Sequence, residues 1–181
     1  MAEQLHMELR RVEQSERLVV GVVAPYDETT YLVANPDGER IRRGAFTRSI
    51  HHRESKIPLL RAHDSSLVLG RARRLTETEE GLVGEFVVNE GPRGDTLLED
   101  ARGGYLEGLS VGFSPLRHER GDDGVREVVE ARLVEVSMVG IPAYEGAAVM
   151  AVRNAQSLDE LLAPFANRPA VDLSPIPPLW R

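Results

Sequence analysis

The sequence predicts a mainly β protein of the α+β class, a largely antiparallel barrel or sandwich carrying a few short helices. Three observations point there. About seven short β-branched or alternating stretches are bounded by turn residues. Only three segments have helical spacing, and strands and helices do not alternate as a parallel α/β fold requires.

Residues 17–24 form a β-branched run that ends at Pro25, and residues 57–60, 67–75 and 81–88 continue the series of short apolar or alternating stretches. Residues 67–75 and 81–88 are separated by a Glu-rich turn ending in Gly81, which is hairpin chemistry. A second hairpin is expected across Gly121–Gly124, between the stretch around Ser110 and the run 125–139. Helices are expected at 44–52, at 93–102 with Leu97, Leu98 and Ala101 at helical spacing before Gly103-Gly104, and from Ser157, where Glu160 completes a capping box. The expected organisation is an N-terminal extension at 1–14, one domain at 15–153, a helix at 154–168 and a Pro-rich mobile tail at 169–181.

Composition narrows the function. At 181 residues the chain can bury one ordinary core. It has no cysteine, which excludes disulfides, thiolate metal sites and a Cys nucleophile, so covalent catalysis must fall to Ser, Thr, Lys or a carboxylate. A net charge of -7 argues against a nucleic-acid partner, despite the local cluster Arg71, Arg73 and Arg74, and favours proteins or peptides. No apolar run approaches the roughly 20 residues of a bilayer crossing, and residues 1–12 lack the apolar core of a secretory signal. No membrane partner and a cytoplasmic setting are therefore expected. No His or carboxylate spacing matches a metal site, and neither a metal nor a cofactor is expected.

Ser110 lies in Gly108-Leu109-Ser110-Val111-Gly112-Phe113. On a strand, Leu109, Val111 and Phe113 face one side and Ser110, Gly112 and Ser114 the other, a face stripped of bulk on which Gly112 leaves room for a substrate backbone. The same alternation sets Val134, Val136 and Met138 against Leu133, Glu135 and Ser137. A serine hydroxyl becomes a nucleophile when an imidazole takes its proton and a third group orients that imidazole. His63, at the end of the apolar run 59–62, is the candidate base. Glu135 is the candidate orienter, because Asp64 beside His63 on a strand points to the opposite face. Gly108-x-Ser110-x-Gly112 matches the nucleophile elbow of α/β-hydrolases literally, but that fold needs a strand-turn-helix at the serine and a His following it.

The chain also resembles a family, the prohead (capsid maturation) proteases of tailed bacteriophages, whose fold is similar to the herpesvirus assemblin proteases. The resemblance spans about residues 15 to 152. It is carried by Gly21-Val22-Val23-Ala24-Pro25-Tyr26, Arg43-Gly44-Ala45-Phe46, Leu60-Arg61-Ala62-His63-Asp64, the Ser110 segment with Leu106-Glu107 before it, and Leu133-Val134-Glu135-Val136-Ser137-Met138-Val139 followed by Pro142-Ala143. It implies an antiparallel β-barrel of the herpesvirus-protease type. It further implies a serine endopeptidase with Ser110 as nucleophile, His63 as general base and Glu135 as third member, although the herpesvirus relatives use a second His there. Main-chain N–H groups near Gly140 or Gly112 are the candidate oxyanion donors. The implied substrates are the scaffolding protein or the scaffolding segment of the major capsid protein, and the enzyme itself. The implied place is the immature procapsid in the cytoplasm of the bacterial host, and a homodimer is an expectation from the herpesvirus relatives. Two other readings stay open on the sequence: a catalytically inert β-barrel assembly factor and a small serine esterase.

Overall fold

A computed structural model describes residues 17–53 and 56–153. In chain order it has β1 (Leu18–Pro25), β2 (Thr30–Leu32), β3 (Asn35–Ile41), α1 (Thr47–Arg53), β4 (Pro58–Arg61), β5 (Asp64–Glu77), β6 (Gly81–Val88), α2 (Pro92–Arg102), β7 (Gly108–Arg120), β8 (Arg126–Val139) and β9 (Val149–Arg153). The expected extension at 1–14, the helix from Ser157 and the Pro-rich tail lie outside the described residues.

The mainly β character matches the sequence, but the antiparallel barrel of about seven strands is corrected. Among the described residues, nine strands form one sheet in the order β2-β3-β8-β4-β5-β6-β1-β9, with β7 beside β8 off that path. The sheet is mixed, because β8 runs parallel to both β3 and β4. No ladder among the described residues closes it into a barrel: β7 meets residue 148 at a single bridge, Gly108 to Ala148. Parallel neighbours need long crossover connections, so they leave no local turn signal for sequence reading to find. β2, β3 and β9 also escaped that reading, since Asn35-Pro36-Asp37-Gly38 looks like a turn and β2 has only three residues.

The core gathers Val19, Val23, Phe46, Leu59, Leu82, Phe86, Leu97, Leu109, Leu133, Val136 and Met138. In the turn that leads into α1, Phe46 packs against Phe113 in an edge-on ring contact of 5.8 Å. Helix α2 starts with Pro92 after Gly91 at φ 103° and buries Leu97 and Leu98. Its Asp100 pairs with Arg61 at 2.8 Å, which ties the helix to the end of β4.

The β7–β8 hairpin carries one irregularity that matters for the site. Gly112 pairs with Glu135 and Phe113 with Leu133, so Val134 is an extra residue on β8. This bulge flips the side-chain phase. Leu133, expected on the Glu135 face, is instead fully buried in the core with Val136 and Met138, and Val134, expected on the Val136 and Met138 face, is 41% exposed. The Leu133 N–H donates to Ser49 Oγ of α1 at 2.9 Å.

Candidate active site

Three strands converge on one row of the sheet. Leu60 of β4 lies opposite Ser137 of β8, and Ser110 of β7 lies opposite the same Ser137 from the other side. Whatever follows β4 is therefore delivered beside Ser110, although about fifty residues of chain separate them.

Arg61 pairs with Asp64, so Ala62 and His63 are the two central residues of a tight turn joining β4 to β5. Both have positive φ, 51° and 60°, the combination a type I′ hairpin turn demands and Asn-Gly normally supplies. Such backbone costs about 1–3 kcal/mol per non-glycine residue and persists only where the surroundings over-determine it. Here the Ala62 N–H donates to the Met138 carbonyl at 3.0 Å and the His63 N–H donates to Ser137 Oγ at 3.0 Å. His63 thus stands on a strained turn rather than at a strand end. Asp64 is turned away to solvent, where hydrogen bonds from the Ser66 hydroxyl and N–H hold its carboxyl below the ordinary carboxylate range.

Side chains of Ser110, His63 and Glu135, named from the sequence, lie within hydrogen-bond reach of one another. Ser110 Oγ is 3.0 Å from His63 Nε2, and His63 Nδ1 is 2.7 Å from Glu135 Oε1. An ionised Glu135 accepts only, so it draws the imidazole proton to Nδ1 and leaves the Nε2 lone pair facing the Ser110 hydroxyl. Glu135 Oε2 accepts from the Ser137 hydroxyl at 2.8 Å. Ser110 and Glu135 are buried, while the His63 side chain is 48% exposed and so reachable from solvent. The arrangement holds the parts that acyl transfer needs: a hydroxyl, a base facing it and an anion behind the base.

Two site features differ from, or were absent in, the sequence reading. The space beside Gly112 is taken by Glu135: a Cβ there would overlap Glu135 Oε1. The missing side chain thus admits the protein's own carboxylate, not a substrate backbone. Ser137 joins the site as well, and its spacing two residues from Glu135 on one strand face is the sequence signal for it. Among the described residues, no group of three or more His, Asp or Glu is arranged to hold a metal ion. Nor does any helix of the described residues have the length and apolarity to cross a membrane.

Fold and site together define a class, a mixed β-sheet protein with a serine, a histidine and a carboxylate in one hydrogen-bonded chain. The structure is similar to KSHV protease in complex with a hexapeptide phosphonate inhibitor, at TM-score 0.50 and 12% identity over 82% of this chain and 69% of that one. It is also similar to the capsid assembly protease of bacteriophage T4, at TM-score 0.45 and 15% identity over 70% of this chain and 96% of that one. Varicella-zoster virus protease is a third neighbour, at TM-score 0.42 and 20% identity over 73% of this chain and 62% of that one. The chain belongs to the Caudovirus prohead serine proteases, the enzymes of phage capsid maturation, whose family model matches residues 5–161. No curated protein matches the sequence.

Proposed function

We propose that this protein is a serine endopeptidase with Ser110 as nucleophile, His63 as general base and Glu135 as the group that orients and charges-balances His63. The observation that carries the reading is the continuous chain from Ser110 Oγ to His63 Nε2 at 3.0 Å and from His63 Nδ1 to Glu135 Oε1 at 2.7 Å. An inert assembly factor would have no need to hold these groups in line on a strained turn.

In the first step Ser110 Oγ attacks the scissile carbonyl carbon while its proton passes to His63 Nε2. Glu135 stabilises the imidazolium so formed. Main-chain N–H groups near Gly140 or Gly112 receive the oxyanion. His63 then returns the proton to the departing amine, which leaves an acyl-Ser110. Water, deprotonated by the same Nε2, attacks the ester, releases the new carboxyl end and restores the Ser110 hydroxyl. We assign the catalytic unit to residues 15–153. Its substrates are the scaffolding protein, or the scaffolding segment of the major capsid protein, and its own chain, cut inside the immature shell in the cytoplasm of the host bacterium. Membership of the prohead family supports that choice of substrates.

Labelling with a fluorophosphonate tests the nucleophile. Intact mass should rise by one adduct, mapped to Ser110, and His63→Ala should suppress it. An adduct on another residue, or equal labelling of the His63→Ala variant, would contradict the assignment.

A further inference from the structure

We infer that Ser137 is a positioning residue of this site, a single buried hydroxyl that locks the His63 turn and the Glu135 carboxylate into one geometry. This rests on the reading that Ser110, His63 and Glu135 carry the chemistry.

Ser137 is fully buried, in the row between Leu60 and Ser110. A hydroxyl has one proton and two lone pairs. The Ser137 proton goes to Glu135 Oε2 at 2.8 Å, and a lone pair receives the His63 N–H at 3.0 Å. Both bonds therefore point into the site, and each fixes something the chemistry needs.

The first bond sets the rotation of the carboxylate. With Oε2 held by Ser137, Oε1 is the oxygen left for His63 Nδ1. Without it, the carboxylate can turn about its terminal torsion, which is broad for Glu, and the imidazole loses its fixed partner. The second bond acts on the backbone. His63 sits at φ 60°, a conformation that persists because neighbours over-determine it, and the Ser137 oxygen is one of those neighbours. Release of this N–H lets the turn relax, and a shift of about 1 Å at a reacting group costs on the order of 100-fold in rate. Alanine would keep the strand but abandon both partners. Cysteine would fill the space with a weak donor and acceptor, so it separates the hydroxyl's bonding from its bulk.

The test uses the full-length protein and a fluorophosphonate probe, followed by intact mass to obtain the limiting labelling rate and the half-saturating probe concentration separately. Ser137→Ala and Ser137→Cys should each lower the limiting rate about 10- to 100-fold with half-saturation within about twofold of wild type. Proton NMR should show a low-field His63 Nδ1–H signal in the wild type that broadens or moves in both variants. Loss of bulk or stability alone would move neither reading for the folded fraction. If Ser137→Ala fails to fold, Ser137→Cys decides. Wild-type labelling rates and an unmoved signal in either folded variant would overturn the inference. Ser110→Ala is the control that separates the two levels. If it still labels at the wild-type rate, the catalytic assignment fails; if it is silent while the Ser137 variants behave as wild type, the positioning role alone fails.

Discussion

His63 meets three demands in one residue: its backbone turns the chain at positive φ, its Nδ1 contacts Glu135 and its Nε2 faces Ser110. The tautomer this requires exists only while residue 135 is an acceptor. Glu135→Gln keeps the shape but can present an amide N–H₂ to Nδ1, which would move the ring proton to Nε2 and take away the base we propose. We expect kcat to fall on the order of 10³- to 10⁴-fold with KM and thermal stability little changed, as steady-state kinetics and a melting curve would register. Gly112→Ala should also be harmful without touching a reactive group, because the added methyl overlaps Glu135 Oε1 and must displace it. A rate loss of about 100-fold or more is expected. Activity at the wild-type level would mean that the carboxylate position is immaterial.

At the scale of elements, the β7–β8 hairpin was legible in the sequence because its information is local. The Gly121–Gly124 turn sets the pairing, and alternation along each arm puts Ser110 and Glu135 on one face. What the sequence did not disclose is equally physical. The Val134 bulge inserts one residue without any composition signal. The parallel β4–β8 pairing joins residues more than seventy positions apart, Leu60 and Ser137 among them. Ala62-His63 reads as the end of an apolar run, since neither residue is one that type I′ turns prefer. That last mismatch yields a prediction: Ala62→Asn, better suited to positive φ, should stabilise the fold and raise the melting temperature, with activity retained. A lower melting temperature would show that Ala62 is not strained.

On the scale of the whole molecule, the mixed sheet is tied together by two buried tyrosines. Tyr26 after β1 donates to Glu77 Oε1 at 3.1 Å, and Tyr144 donates to Glu39 Oε1 at 3.4 Å. Burial first, and the neighbouring carboxylate second, pushes each phenol well above its ordinary pKa. The neutral forms are thus favoured in the folded state, while the unfolded chain ionises near pH 10. Stability from this source is fully present below about pH 10 and is lost as pH rises beyond it, by about 1.4 kcal/mol per pH unit per tyrosine. Urea unfolding across that range should show the loss, and Tyr26→Phe with Tyr144→Phe should flatten it. Short alternating stretches announced a mainly β protein and composition excluded cysteine chemistry, but neither announced the open, mixed sheet, because parallel neighbours are chosen by long-range packing.

The central claim is that Ser110 makes this chain a capsid-maturation endopeptidase, and it is tested most directly by co-expressing the wild type or Ser110→Ala with the major capsid or scaffolding protein of the same gene cluster. Intact mass would then be measured on the partner. Discrete truncation with the wild type and none with the variant is the predicted result, and the fragment masses would locate the cut. The same masses with both, whether whole or trimmed, would contradict the account.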